Sequence, residues 1–448
     1  MKPALHRFLS DYGMIFVLLL LCAFFSAMTM TEQNPTGEAA ARQLAASLVR
    51  SPGKDARVLI VAGQQADDAI FAHTLEQALK ASDVRVAGLI IGEPRDAREA
   101  LQKLASVGMQ LDAIAGNQAT ASWLVFADIP KDFPALGHPR LVKPRSYRWS
   151  NFLKSENLLN IANQIAVIAI VAIGMTMVII TAGIDLSVGS LIALSAVLAA
   201  RFIRDYAGAL HASPAGMTVA CFAAILLCGF VGAFSSGMIT LFRIPPFIVT
   251  LAMMLVGSGL AYLLAQGQSI YQLPDSFVWL GRGADFLHIP NAVLLMLVLY
   301  ALAHILMSRM RLGRYLYAVG GNREAARLSG VPVQRVLLFA YAASGLLAGL
   351  GGVIMASQLK SGSPTYGNMY ELYIIAAVVV GGTSLTGGEG RMLGTLVGAF
   401  TIAVIQNGMN LTNVESYTQK VVLGLVILGA VLLDTLRHRR ANRSGAAD

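Results

Sequence analysis

One carboxylate interrupts a long apolar stretch of the chain. Asp185 lies in "TAGIDLSVGS" (181–190), between the runs "IAVIAIVAIGMTMVII" and "LIALSAVLAA". An ionised carboxylate at the centre of a bilayer costs roughly 2.5–3.5 kcal/mol on insertion scales. The residue types allow three interpretations: Asp185 caps the following helix, lines a solute path, or binds a proton or cation. Gly183 and Gly189 indicate a break in the backbone, which favours the cap.

Seven other polar side chains interrupt apolar tracts and could hydrogen-bond a polar solute. They are Asn163, Gln164, Ser187, Ser190, Gln406, Asn407 and Asn410. A translocation path needs only sparse groups of this kind, because tight binding would trap the solute. For each residue the alternative is a hydrogen bond between helices, worth roughly 0.6–1.7 kcal/mol in membranes.

Residues 311–335, "RLGRYLYAVGGNREAARLSGVPVQR", are too polar to span a membrane. Asn322 suits a helix N-cap, "REAARLS" contains good helix formers, and Gly330 suits the position after the helix end. Pro332 prevents the helix from continuing. The sequence therefore predicts a short capped helix. This helix either rests on anionic lipid or binds a cytoplasmic partner, and the residues alone leave both interpretations open.

The sequence contains none of the motifs that would indicate a catalytic site. There is no GxxxxGK[ST], no HExxH, no GxSxG and no intramembrane pair of aspartates. Cys22, Cys221 and Cys228 all lie in apolar runs, without metal-ligand spacing, and are expected to serve packing. We therefore expect no enzyme activity, no metal and no cofactor on this chain.

The composition predicts an all-α polytopic membrane protein. Hydrophobic residues make up 56% of the 448 residues and charged residues 13%, against about 25% charged residues in soluble proteins. About ten spans are predicted, at 12–30, 158–182, 187–203, 215–241, 246–266, 291–309, 335–357, 371–381, 392–411 and 417–434. The tract at 371–381 is too short to span alone and is predicted to be broken or re-entrant.

The distribution of basic residues predicts the orientation of these spans. With the N-terminus inside, 14 Lys and Arg residues fall on the cytoplasmic side and 6 on the other, leaving out 31–150. The expected organisation is an N-terminal helix (1–30), an extracytoplasmic segment (31–150), a bundle (151–436) and a cytoplasmic tail (437–448). Both termini are then cytoplasmic.

Residues 31–150 form a polar insertion that contains 13 of the 25 acidic residues. Apolar runs at 56–63, 84–92 and 111–116 indicate strands, and 67–81 and 96–108 show helical periodicity. Strands that alternate with helices of this length predict a small α/β domain with a parallel sheet. It would lie between the first two spans.

Several long motifs resemble one family. They are "ENLLNIANQ" (156–164), "GMTMVIITAGIDLSVGSLIALSAVLAA" (174–200), "GRYLYAVGGNREAARLSGV" (313–331), "AAVVVGGTSLTGGEGRMLGTLVGA" (376–399) and "IQNGMNL" (405–411). In this order they are similar to ABC importer permeases of the ribose/xylose/arabinose/galactose family. Members generally pass directly from the first helix to the stretch that begins here at Phe152, so the resemblance supplies no function for 31–150.

The resemblance implies a permease subunit that forms the path for a monosaccharide or a similar small polar solute. It implies that the short helix docks on a cytoplasmic ATPase, which would hold ATP and Mg²⁺. The implied coupling residues are Asn322, Arg323, Glu324, Ala325, Ala326, Arg327 and Gly330. Further implied partners are an extracytoplasmic sugar-binding protein and a second permease copy, in the bacterial cytoplasmic membrane.

Two other functional classes remain open at this point. An ion-coupled secondary transporter would work without ATPase subunits, and a membrane sensor would use 31–150 to bind its ligand. The residues do not choose between a pentose, a hexose and a polyol, or between a homodimer and a heterodimer.

Overall fold

The computed structural model describes residues 2–51 and 55–444, and side chains within 13–51 and 55–432. The chain divides into two compact units, one of residues 30–150 and one that combines 1–29 with 151–448. Helix α1 (Lys2–Met28) begins the second of these. The basic side chains predicted near both termini, including those of the tail 437–448, lie outside the described side chains.

The unit of residues 30–150 is an α/β domain. Its elements are β1 (Met30–Gln33), α2 (Gly37–Arg50), β2 (Arg57–Ala62), α3 (Ala66–Lys80), β3 (Arg85–Ile91), α4 (Pro94–Ser106), β4 (Ala113–Gly116), α5 (Ile129–Asp132), β5 (Arg140–Val142) and β6 (Tyr147–Ser150). Four strands form a parallel sheet in the order β3-β2-β4-β5, and β1 pairs antiparallel with β6. The predicted parallel sheet is confirmed.

Two apolar clusters cover the faces of this sheet. Leu44 of α2 and Phe71 of α3 pack on one face, and Leu101 of α4 and Phe126 pack on the other. Strands β2 and β4 are buried on both faces, as apolar strands of a parallel sheet must be. The sequence prediction missed α2, β5 and the β1–β6 ribbon, whose short or Ala-rich segments lack a clear period.

The larger unit is helical. After α1 it contains α6 (Ser155–Ile180), α7 (Val188–Tyr206), α8 (Pro214–Leu241), α9 (Pro246–Ala265), α10 (Trp279–Arg282), α11 (Asn291–Arg309), α12 (Arg311–Gly321), α13 (Arg323–Leu328), α14 (Val333–Leu359), α15 (Tyr370–Val380), α16 (Met392–Leu411) and α17 (Ser416–Ser444). Each predicted span overlaps one of these helices.

Six helices of the described chain are long and apolar enough to cross a membrane: α6, α8, α9, α11, α14 and α16. Shorter apolar helical segments lie at Gly13–Met28, Tyr370–Val380 and Ser416–Leu432. The mostly helical, multi-span architecture is therefore supported by length and composition. The number of ten crossings stays a prediction.

Helix α14 packs along α6, α7 and α8 through close backbone contacts. A Cβ on Gly345 would overlap the Cys228 carbonyl of α8, and one on Gly349 would lie 2.9 Å from the Cα of Ile225. The small residues at this GxxxG spacing therefore let α14 approach α8 closely, as expected for helices packed in a membrane.

Three non-helical segments of the described chain connect the helices that hold the polar groups described below: 181–187 between α6 and α7, 360–369 before α15, and 381–391 after it. The 360–369 segment pairs its Gly362 backbone with Ile270 through hydrogen bonds of 2.8 and 2.9 Å. Irregular backbone at membrane depth is tolerated where protein surrounds it. These three segments position the polar groups described next.

Candidate functional site

Asp185 is buried at the break between α6 and α7, with both carboxylate oxygens satisfied. Its Oδ1 accepts hydrogen bonds from the Ser187 backbone N–H at 3.0 Å and from Ser187 Oγ at 2.6 Å. Its Oδ2 accepts one from Ser344 Oγ of α14 at 2.8 Å. Only 1% of Asp185 is exposed, and these three donors replace the water that an ionised carboxylate requires.

The hydrogen bonds of Asp185 define its place relative to α7. Ser187 occupies the N-cap position, and α7 begins at Val188. The Asp185 carboxylate bonds to the N-cap residue itself and not to the N–H groups of the first helical turn. Asp185 therefore stabilises the turn that precedes the cap and ties it to α14.

A first cavity of about 250 Å³ lies between α7, α9, the 364–369 segment and the first turn of α15. The polar residues that line it are Ser190, Ser258, Tyr262, Thr365, Tyr366, Asn368 and Glu371. Ser190 was selected from the sequence. Its Oγ donates to the Ser187 carbonyl at 2.7 Å, so the oxygen can still accept a bond.

A second cavity, also of about 250 Å³, lies between α6, α14, α15 and α16. It brings together Gln164 and Gln406, both selected from the sequence, with Gln358 and Tyr370. Asn163 does not line it, but accepts from Gln358 Nε2 at 3.3 Å and so positions that wall. Tyr370 and Glu371 are adjacent, so the first turn of α15 contributes to both cavities.

Three other residues selected from the sequence lie in contacts between side chains. Asn407 of α16 exchanges hydrogen bonds with Asn157 of α6 at 2.9 and 3.1 Å. Asn410 accepts from Gln419 of α17 at 2.8 Å. These are the interhelical bonds that sequence analysis weighed as the alternative, and neither asparagine lines the two cavities described above. Ser187, bonded to Asp185, does not line them either.

Most of the lining of the first cavity was not predicted from the sequence. The overlooked signal was Glu371, the one acidic residue at the start of the apolar tract 371–381. Asn368 and Thr365 could not be found in this way. They belong to a loop whose position between the helices depends on the tertiary structure.

The short helix predicted in 311–335 is α13. Its N-cap is Asn322, whose Oδ1 accepts the Ala325 N–H at 2.9 Å. Beyond its end Gly330 has a φ of +81°, which glycine adopts without strain. The Gly330 N–H bonds to the Arg327 carbonyl and the Val331 N–H to the Ala326 carbonyl, which is a Schellman motif.

Helix α13 is almost entirely exposed. Within it only Ala326 is buried, and Leu328 is 77% exposed. Arg327 forms an ion pair with Glu324 at 2.5 Å, with both side chains about two-thirds exposed. The hydrogen bond from Arg327 lowers the pKa of Glu324 below its ordinary value. An exposed six-residue helix is only marginally stable by itself. Its caps therefore supply much of its stability.

The segment before α13 rests on the 381–391 loop and on the end of α6. Tyr317 Oη of α12 donates to the Gly390 carbonyl at 2.8 Å. The Gly388 N–H donates to the Ile180 carbonyl at the end of α6, also at 2.8 Å. A Cβ on Gly320 would overlap that same carbonyl. The approach to α13 is therefore packed against the end of α6 and the 381–391 loop.

The chain is similar to transport permeases over most of the larger unit. Residues 157–431 match a family described as "Branched-chain amino acid transport system / permease component". The ribose import permease protein RbsC of Escherichia coli strain K12 is 44% identical over 292 residues, which are 64% of this chain and 88% of that protein. RbsC of Bacillus subtilis strain 168 is 43% identical over 286 residues, 63% of this chain and 86% of that protein.

A third relative is named for a different sugar. The D-allose transport system permease protein AlsC of Escherichia coli strain K12 is 34% identical over 285 residues, 64% of this chain and 85% of that protein. The insertion at 30–150 lies outside the residues of the family match. No solved structure matches the chain.

Proposed function

This chain belongs to the family of permease components described above, and we propose that it carries a ribose- or allose-type monosaccharide. It is the membrane subunit of an ABC importer, without an ATPase domain. The observation that carries the proposed substrate is the 44% identity to a ribose import permease across 88% of that protein's length. Hydroxyl and amide groups in the two cavities suit a solute rich in hydroxyls.

Uptake by the complete importer tests this substrate. Proteoliposomes that contain the permease with the ATPase and binding protein purified from its native host would be supplied with labelled D-ribose, D-allose or L-leucine. We expect ATP-dependent accumulation of ribose or allose. Accumulation of leucine alone would show that the substrate is an amino acid and not a sugar. Uptake that continues without ATP and stops with an ionophore would contradict an ATP-driven permease.

We propose that α13 is the coupling helix that docks on the ATPase. The support is its exposure, its two caps and the packing of the preceding helix α12 against the 381–391 loop. Reversing the charge in Glu324→Arg should abolish co-purification of the ATPase, while the same change at the exposed Glu415 should leave it intact. If the complex survives Glu324→Arg and only binding to anionic vesicles changes, α13 is a lipid contact.

We propose further that α14 carries the movement of α13 to the 181–187 break. Helix α14 begins five residues after the last residue of α13, and its Ser344 bonds to Asp185. Ser344→Ala should lower uptake while ATPase assembly remains normal, and Ser308→Ala, at an exposed position of α11, should leave uptake unchanged. Unchanged uptake in Ser344→Ala would contradict this route.

Asp185→Asn separates the interpretations of this carboxylate. Asparagine keeps one oxygen that can accept the two Ser187 donors, so a residue that only stabilises the turn should tolerate it. We expect uptake to be retained. A collapse of uptake with normal expression and assembly would show that the charge itself is needed, for the solute or for a cation.

We propose that both termini face the cytoplasm of a bacterial cell and that residues 30–150 lie on the other side of its inner membrane. The excess of basic residues on the inner loops supports this. In intact spheroplasts, a membrane-impermeant maleimide should label Leu124→Cys, whose side chain site is 82% exposed. Ser329→Cys should be labelled only after permeabilisation, and the reverse pattern would contradict this orientation.

A further inference from the structure

The first cavity contains a carboxylate for which the described residues provide no basic partner. Glu371 is half-buried in the first turn of α15, and none of the ion pairs of the described chain includes it. No other side chain of the described chain donates a hydrogen bond to its carboxylate. An ionisable side chain within a membrane bundle that lacks a charged or side-chain partner points to a function.

The backbone of α7 closely approaches this carboxylate. A Cβ on Gly189, in the first turn of α7, would overlap Glu371 Oε2 and lie 3.4 Å from its carboxyl carbon. The carboxylate therefore lies directly against a residue without a side chain. The first turn of a helix favours negative charge, because its N–H groups lack partners within the helix.

The other lining groups complete a site for a solute rich in hydroxyls. Asn368 and Thr365 are exposed at the cavity, and Ser190 keeps an oxygen free to accept. Amide and hydroxyl groups both donate and accept, whereas an ionised carboxylate only accepts. The carboxylate therefore selects for ligands that offer donors and against anions.

We infer that Glu371 binds the transported sugar directly, by accepting hydrogen bonds from its hydroxyl groups in the cavity beside Gly189. This inference rests on the proposed function, since it assumes that a monosaccharide passes through this bundle. It adds a specificity residue to the path: the two oxygens of one carboxylate can accept from neighbouring hydroxyls, and an anionic sugar phosphate would be repelled.

Glu371→Gln tests this inference in the reconstituted importer, with labelled D-ribose and D-allose as probes. Replacing a charged acceptor with a neutral amide should raise the KM for sugar uptake by about tenfold. ATP hydrolysis stimulated by the binding protein should stay within about twofold of wild type, because ATP is hydrolysed on another subunit. Sugar transported per ATP therefore falls. A purely structural role would lower uptake and ATP hydrolysis together, and that result would overturn the inference.

Gly189→Ala provides a second variant that keeps the carboxylate but displaces it. The same loss of uptake per ATP is expected, and Glu415→Gln, which removes an exposed carboxylate, serves as the matched control. Uptake at the wild-type rate in both Glu371→Gln and Gly189→Ala would contradict the inference. A wild-type importer that takes up neither sugar would instead contradict the proposed function.

Labelling at the cavity provides a readout that does not depend on transport. Asn368→Cys should react with a maleimide, with the parent chain as the control for its own three cysteines. D-ribose present during ATP turnover should slow this reaction, and Glu371→Gln should remove the protection. If ribose does not change the labelling although the Asn368→Cys importer still takes up ribose, the sugar does not visit this cavity.

Discussion

The N-cap of α13 allows the proposed coupling to be tested quantitatively. Asn322→Ala removes the side-chain oxygen that accepts the Ala325 N–H at 2.9 Å. Losing an N-cap of this kind costs about 1 kcal/mol of helix stability. The change leaves Glu324 and Leu328 unaltered, and comparison with a serine that also caps the helix separates a loss of helix order from the loss of a direct Asn322 contact.

The size of the effect follows from the length of the helix. A six-residue helix is marginal, so its ordered and frayed forms differ little in free energy. If the ATPase binds only the ordered form, its apparent Kd rises as the ordered fraction falls. A cost of about 1 kcal/mol changes that equilibrium by about fivefold, so the Kd should rise by between about twofold and fivefold.

Binding of the purified ATPase to the permease in detergent micelles provides the assay. Asn322→Ser is the matched control, because serine also caps helices well and should keep the Kd near the wild-type value. An Asn322→Ala protein that binds as wild type would refute the reasoning. So would an Asn322→Ser protein that binds as weakly as Asn322→Ala.

Three further predictions concern packing, charge and the helix end. Gly345→Ala should lower the unfolding temperature in micelles, because the new methyl group overlaps a carbonyl of α8 at a cost of about 1–3 kcal/mol. In the control Gly237→Ala the new methyl group meets no atom within 4 Å, so the unfolding temperature should not fall. The hydrogen bond from Arg327 lowers the pKa of Glu324. The ion pair is therefore present above the ordinary glutamate pKa and is lost as the pH falls through the lowered pKa. Arg327→Gln should raise the pKa of Glu324, measured by NMR of the labelled side chain. Gly330→Ala, at a φ of +81°, should destabilise the Schellman motif by about 1 kcal/mol and weaken ATPase binding, and unchanged binding would argue against docking by α13.

Local interactions made much of the architecture predictable from the sequence. Every span predicted from an apolar run lies on a helix. Short apolar runs that alternate with helical segments correctly predicted β2, β3 and β4 in a parallel sheet. Asn322 and Gly330 marked the ends of α13 because caps depend on residues only a few positions apart. The resemblance added the transport class, which the comparisons with known permeases then showed.

The tertiary structure alone decided which polar groups share a site. Asp185 bonds to Ser344 over 159 positions, and Asn407 pairs with Asn157 over 250. Asn407 and Ser190 are alike in the sequence, because both are polar residues in apolar tracts. Whether such a side chain faces a cavity or another helix depends on contacts between distant segments, and no local pattern encodes those. Glu371 carried a local signal as an acidic residue at the start of an apolar tract, but its closeness to Gly189, on a different helix, was decided by the tertiary structure alone.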